Sequence, residues 1–184
     1  MSIFILTKTN TMKTFLKFVL FFVLGLIALV VILALFAPRS FEARSEILIN
    51  KPQQEVYEYI KYLKNQENYG TWYQMDPDMK KSYTGTDGEE GFVYAWESDK
   101  IGSGKQKIVK LLEGEKMETE LYFENFKDPA KSIIQLYPKS REQTLVVWEV
   151  KGKSPFILNI MNLFVSMDDD FREGLENLKR ELEN

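Results

Sequence analysis

The sequence has no cysteine and no histidine among its 184 residues. Their absence excludes disulfides, Cys/His zinc sites, thiol nucleophiles and any Ser-His-Asp triad. The first 39 positions also lack acidic residues, so positions 40–184 hold 20 basic and 27 acidic side chains, a net charge of −7. Because the nucleic acid backbone is itself negatively charged, we expect no nucleic-acid partner.

Two short motifs bear only a superficial likeness to ligand sites. Asp76 and Asp78 lie in no twelve-residue calcium loop, and Gly102-Ser103-Gly104-Lys105 lacks the spacing of a phosphate-binding loop. Both are interpreted as turns or helix caps. We therefore expect no metal and no cofactor.

A run of 20 residues from Phe18 to Ala37 has no polar side chain. At about 1.5 Å rise per residue, a helix of this length covers a hydrocarbon core of about 30 Å. The alternative is a cleaved secretory signal, whose apolar core is shorter and ends in small residues. Here Leu35 would occupy the third position before a cut after Ala37, with Pro38 directly beyond it. These features favour an uncleaved single-pass anchor.

Flanking charge predicts the orientation of this helix. Lys8, Lys13 and Lys17 precede the run, and Arg39 and Arg44 follow it. The excess of positive charge before the helix places the amino terminus in the cytoplasm and the carboxy-terminal domain outside the cell membrane. The predicted organisation is a short N-terminal segment over residues 1–14, a transmembrane helix over 15–38 and one domain over 39–184, with Met12 as a second possible start.

The segment after the anchor begins as a strand and continues as a series of hairpins. Phe41 to Ile49 alternates between apolar and polar residues, and a short amphipathic helix follows from Pro52 to Leu63. Short turns then separate six predicted strands, which implies sequential antiparallel pairing. These strands cover Lys81–Thr84, Phe92–Glu97, Gly104–Leu112, Lys116–Glu124, Lys131–Tyr137 and Thr144–Lys151.

The last 30 residues predict the cover of this sheet. Ser154 and Pro155 suit a helix start, and apolar residues then recur every three or four positions. We expect one long amphipathic helix across the apolar face of the sheet. Its apolar stripe consists of Ile160, Phe164, Met167, Phe171, Leu175, Leu178 and Leu182.

The order of elements and several local sequences resemble the START/polyketide cyclase-dehydrase-like (SRPBCC) superfamily, including membrane-anchored bacterial members. The resemblance spans about residues 40–184 and rests on the opening strand, the helix at Pro52, the region of Trp72, the strand with Tyr94-Ala95-Trp96 and the closing Gly174-Leu175-x-x-Leu178. It implies an α+β helix-grip fold, in which a curved antiparallel sheet wraps a long carboxy-terminal helix around an apolar cavity. It also implies a lipid, sterol or polyketide-like ligand and, together with the orientation predicted from charge, a location in the bacterial periplasm. No catalytic set is shared across the superfamily.

A cavity is also expected on physical grounds, because a bent sheet around a helix leaves a space that large side chains must fill or border. The alternative is that the aromatic residues simply fill the core, with Trp72 as a plug rather than a lid. The candidate ligand-binding residues are Trp72, Tyr94, Trp96, Leu121, Phe123, Trp148, Met161, Phe164, Met167 and Phe171.

Three hypotheses on function follow. The first is a membrane-anchored protein that binds a hydrophobic or amphipathic small molecule in this cavity. The second is a cyclase- or dehydratase-type enzyme that uses Tyr94, Gln106 and Asp168 to move protons. The third is an envelope protein that binds a partner and has a vestigial pocket.

Overall fold

The computed structural model describes the backbone of residues 3–184 and the side chains from Met12 onward. This part of the chain contains twelve helices and strands, together with 3-10 turns at Leu63–Asn65 and Leu158–Leu163. In chain order they are α1 (Ile3–Phe36), β1 (Ser40–Ile49), α2 (Gln53–Ile60), α3 (Gln66–Tyr69), α4 (Thr71–Met75), β2 (Lys80–Thr84), β3 (Val93–Glu97), β4 (Gly104–Leu112), β5 (Lys116–Phe123), β6 (Ala130–Pro138), β7 (Thr144–Lys153) and α5 (Asp168–Glu183).

Helix α1 contains the predicted apolar run. Its portion Met12–Phe36 is long and apolar enough to cross a membrane, and most of its side chains are exposed. Membrane anchors and signal sequences both have helices of this kind near the N-terminus. The helix extends back to Ile3 and so includes most of the predicted N-terminal segment, whose Met1 and Ser2, like the Lys8 side chain, lie outside the described residues.

The seven strands form one antiparallel sheet in the order β1-β7-β6-β5-β4-β3-β2. Every strand lies within two residues of its predicted position, and the six later strands pair in sequence through short hairpins, as expected. The first strand pairs along its whole length with the last, from Ser40 opposite Lys153 to Ile49 opposite Thr144. Helices α2, α3 and α4 make the connection from β1 to β2.

Alternation along the strands decides which face of the sheet is covered. In β5, Met117 and Thr119 are buried, whereas Glu118 on the other face forms an ion pair with Lys116 at 2.5 Å. The covered face packs against α2, α3 and α5 around one hydrophobic core. The α+β helix-grip architecture predicted from the sequence is confirmed.

The prediction of one continuous helix from Pro155 to Leu182 is wrong in its first half. Residues 158–163 form a 3-10 turn, and α5 begins only at Asp168. Ile157, at φ 80°, has a left-handed backbone that no α-helix accommodates. The start of α5 has a clear electrostatic reason, because its first turn carries Asp168, Asp169 and Asp170, and acidic side chains are favourable at a helix N-terminus.

Candidate ligand-binding cavity

A cavity of about 720 Å³ lies between the covered face of the sheet, α4, the N-terminal end of α5 and the segment that precedes α5. It occupies the end of the sheet at which β1 begins and β7 ends. Inward-facing residues of six strands form one wall, since alternation directs every second side chain to the same face. Those residues are Phe41, Trp96, Gln106, Leu121, Phe123, Ser132, Trp148 and Val150.

Aromatic contacts hold the opposite wall in place. The ring of Phe171, on the first turn of α5, packs edge-on against Trp148 with centroids 4.7 Å apart. Trp72, on α4, packs edge-on against the same ring at 5.1 Å. These edge-to-face pairs are favourable geometries for aromatic rings. Phe171 therefore joins the sheet, α4 and α5 at one corner of the cavity.

Few polar groups line the interior. Gln106 is buried and its amide nitrogen donates a hydrogen bond to the Thr119 hydroxyl at 2.9 Å. The Trp148 indole nitrogen donates to the Ser132 hydroxyl at 3.0 Å. Gln66 also lines the cavity, and its buried amide nitrogen has no partner in the described part of the chain. The interior is thus apolar with three separated amide or hydroxyl groups.

Tyr73 adds a titratable group to the lining. Burial, together with the nearby Glu67 carboxylate, raises the pKa of Tyr73 well above its ordinary value. Its hydroxyl is therefore neutral at physiological pH. Glu42, also in the lining, is exposed and forms an ion pair with Lys151 at 3.2 Å.

The exposed residues show where the cavity opens. Among the described residues that line it, those that are exposed all fall in two short segments, 38–42 and 158–166. These residues are Pro38, Ser40, Glu42, Leu158, Met161, Val165 and Ser166. Both segments lie next to the C-terminal end of α1. The opening, called the mouth below, therefore faces the end of the predicted anchor.

Eight of the ten predicted ligand-binding residues line this cavity: Trp72, Trp96, Leu121, Phe123, Trp148, Met161, Met167 and Phe171. Tyr94 is instead fully buried outside it, with its ring between those of Tyr73 and Tyr83 at 5.4 and 5.2 Å. Phe164 is 78% exposed, because the chain there is not the expected helix. Whether the eight contact a ligand stays a prediction.

Asp168, considered for proton transfer, does not line the cavity. Its carboxylate accepts hydrogen bonds from the Arg44 backbone amide at 3.1 Å and from the Ser166 hydroxyl at 2.8 Å, and the residue is exposed. These contacts join the start of α5 to strand β1. Asp168 therefore has a structural position at the N-terminus of α5.

One residue that fixes the mouth, Asn159, was not predicted from the sequence. It is completely buried and its amide nitrogen donates to the carbonyl oxygens of Ala34 and Ala37, at 2.8 and 3.0 Å. Asn162 donates in the same way to the carbonyl of Pro38 at 2.9 Å. The available signal was two asparagines, three residues apart, in an otherwise apolar run.

No protein-family model matches the chain, and no curated protein sequence matches it either. Solved structures do match. Norcoclaurine synthase from Thalictrum flavum superposes with a TM-score of 0.59 at 8% identity, over 78% of this chain and 93% of that one. The chain has the helix-grip fold.

Two bacterial structures with this helix-grip fold match equally broadly. The Aha1 dimer from Colwellia psychrerythraea gives a TM-score of 0.55 at 14% identity, over 77% of this chain and 96% of that chain. Protein MLL2253 from Mesorhizobium loti gives 0.57 at 13% identity over the same shares. At these identities the likeness concerns the fold alone, which is why function must be argued from the cavity.

Proposed function

We propose that this chain is a membrane-anchored protein that binds a hydrophobic or amphipathic small molecule in the cavity between the sheet and α5. The observation that carries the proposal is the cavity itself. Its volume, about 720 Å³, lies within the range of roughly 300–1,000 Å³ typical of small-molecule sites. Its walls are mainly aromatic and aliphatic, with the few polar groups that such sites use to orient a ligand.

The contacts at the end of α1 support an anchor rather than a cleaved signal. Asn159 is completely buried, and both hydrogen bonds described for its side chain go to carbonyls at the end of α1, that of Ala34 in the last turn and that of Ala37 directly after it. Removal of α1 would leave this buried amide without those partners, which costs about 1–3 kcal/mol for a polar group of this kind. The folded domain is thus built around the end of the helix.

The distribution of polarity favours a ligand with an apolar body and a small polar group. Gln106 and Ser132 already use one hydrogen bond each, but an amide or hydroxyl retains further capacity. The Gln66 amide, which has no partner among the described residues, offers a donor on the opposite side. A hydroxyl or carbonyl group on the ligand fits these partners, and a free charge deep in the cavity would not be compensated.

The enzyme hypothesis requires titratable groups that converge on one reacting atom. Of the three side chains selected for it, Gln106 lines the cavity, Tyr94 is packed among other tyrosine rings and Asp168 is exposed at the start of α5. Their separation gives that hypothesis no specific support.

Native mass spectrometry of the full chain, released from lipid nanodiscs, tests the proposal. Leu121→Trp places a larger side chain in the cavity wall and should lower the occupancy of any co-purified hydrophobic molecule several-fold. Leu48→Trp is the matched control, because Leu48 lies on the opposite face of the sheet and is exposed. A protein that carries no hydrophobic molecule, or carries it equally in both variants, would overturn the proposal.

A further inference from the structure

The segment that borders the mouth is unusually apolar for a surface segment. Residues 154–167 contain no charged side chain. Within the part that we call the mouth segment, residues 156–165, Phe156, Ile157, Leu158, Met161, Phe164 and Val165 are all exposed by more than 40% of their surface. Contiguous exposed apolar surface of this kind marks a site of contact with a membrane or another molecule.

Hydrogen bonds fix the mouth segment beside the last turn of α1. The carbonyls of Ala34 and Ala37 belong to the helix end, where backbone acceptors have no intrahelical partner, and Asn159 supplies the donors. Asn162 extends the same contact to Pro38. At about 1.5 Å per residue, Ala34 lies roughly 4.5 Å inside the end of the apolar run at Ala37. The mouth segment is therefore level with the apolar part of α1.

We propose that the mouth segment inserts into the surface of the bilayer that α1 spans, so that the cavity opens into lipid rather than into water. This inference rests on the proposed function in that it takes α1 as a membrane anchor. Interfacial segments bury their apolar side chains about 5–10 Å into the boundary of headgroups and acyl chains. The position of Asn159 beside Ala34, roughly 4.5 Å inside the apolar run, is close to the shallow end of that range.

The lining of the mouth connects insertion to ligand binding. Leu158, Met161 and Val165 belong both to the exposed surface of the mouth segment and to the cavity lining. An apolar molecule that leaves the acyl region would pass these side chains without crossing water. The ligand class that fits this route is a membrane-dissolved lipid or lipid-like molecule.

Backbone strain at Ile157 supports the same assignment. A β-branched residue at φ 80° is a conformational outlier, and such strain persists only where the surroundings impose it. The side chain gains little from the domain, because 48% of its surface is exposed. Burial in lipid would supply the missing stabilisation.

Charged side chains border the mouth. The Arg39 guanidinium lies over the Phe156 ring, 5.8 Å from its centroid, and exposed Lys153 pairs with Ser40 in the sheet register. Both cations flank the apolar segments, and long basic side chains of this kind can reach lipid phosphates. Acidic side chains also border the mouth, namely Glu42 in its lining and residues 168–170 at the start of α5. The charge at the mouth is therefore mixed, and the inference rests on the exposed apolar side chains.

Depth-dependent fluorescence quenching tests the insertion directly. Because the chain has no cysteine, Phe164→Cys and Glu142→Cys can each carry one environment-sensitive NBD label on the full chain. The label at 164 reports on the mouth segment. Glu142 is the control, since it lies in the turn just before β7 begins at Thr144. The mouth lies at the other end of β7, where Lys153 pairs with Ser40. The nine residue steps from Thr144 to Lys153 along β7 place Glu142 roughly 30 Å from the mouth.

In vesicles of phosphatidylcholine and phosphatidylglycerol, doxyl groups high on the acyl chain should quench the label at 164 several-fold more than the label at 142. Equal, weak quenching at both positions would overturn the inference. Weak quenching at 164 together with cross-linking between two copies through that cysteine would instead assign the surface to a second copy.

The quenching experiment and the binding experiment test the two proposals separately. A bound hydrophobic molecule without quenching at 164 would overturn lipid insertion and leave the proposed function intact. Quenching at 164 in a protein that binds no hydrophobic molecule would overturn the proposed function alone.

Discussion

At the end of the sheet far from α1, inward-facing Ile49 and Ile108 are completely buried in the hydrophobic core. At the end near α1, Phe41 and Gln106, on the same two strands and the same face, line a cavity instead. The strands themselves therefore do not explain the difference. What changes along the sheet is the layer that covers it.

Helix α5 shows the same contrast along its own length. Phe171, in its first turn, borders the cavity, while Leu175 and Leu178 are buried in the core. Before Asp168 there is no α-helix to continue the cover, and the mouth segment is held by α1 rather than laid into the sheet. The end of the sheet far from α1 is filled because helices cover it. The end near α1 is hollow because α5, the covering helix, begins only at Asp168.

Two leucine truncations would measure this difference in packing. Leu178→Ala should destabilise the protein by about 2–5 kcal/mol, because the site is closed on all sides and the deletion leaves a new cavity. Leu121→Ala should cost clearly less, since Leu121 already borders an open space and loses fewer contacts. Urea unfolding of the full chain in detergent gives both values. Equal losses at the two sites would show that the ends of the sheet are packed alike.

A valine at Gly174 would affect the boundary between the two ends. A Cβ atom there would lie 3.2 Å from the Trp148 ring and 3.4 Å from the Tyr69 carbonyl oxygen, so α5 would have to move away from the sheet. We expect Gly174→Val to cost about 1–3 kcal/mol through overpacking. The exposed neighbouring position provides the control, Glu173→Val, which should cost only the fraction of a kcal/mol set by helix propensity. Thermal unfolding checks the pair.

The smallest predicted effect concerns the hollow end alone and depends on pH. The Ser98 hydroxyl, which donates to the Asp76 carboxylate at 2.5 Å, and then Lys100 lower the pKa of Asp76 below its ordinary value. The same Ser98 oxygen accepts a hydrogen bond from the backbone amide of Ile101, a residue of the cavity lining.

Because its folded-state pKa is lowered, Asp76 contributes stability above its unfolded pKa of about 4 and loses it as the pH falls through the folded value. Asp76→Asn should therefore reduce the melting temperature at neutral pH and narrow its difference from wild type below about pH 4. Asp78→Asn, at an exposed position two residues away, is the control and should follow wild type. An identical deficit for Asp76→Asn at every pH would show that the carboxylate charge has no part in this contact.

Most of the fold could be predicted because its signals are local. Alternation placed Phe41 and Ile49 on the covered face, and short turns between apolar segments required hairpins. The same reasoning assigned most of the residues that line the cavity, since it identified the covered face. It placed Tyr94 wrongly in the lining, because alternation gives the face of a strand and not the distance to the opposite layer.

The expected long helix failed for a tertiary reason. The apolar spacing from Ile160 to Phe171 suits a helix, but Asn159 and Asn162 use their side chains on the carbonyls of α1, and this contact is specified by a segment more than 120 residues away. The spacing of apolar residues within one segment gives no information about a partner so distant in sequence. The three acidic residues at the start of α5 were the one local sign of the true helix start.

The amino-acid sequence is sufficient to predict the apolar run, the seven strands, their hairpin order and the covered face, since each depends on neighbouring residues in the chain. The folded structure is needed to show that the cover stops at Asp168, that the end of α1 fixes the mouth segment, and that a cavity opens beside it. A void is a property of the distance between layers, and that distance is set by contacts between residues far apart in sequence.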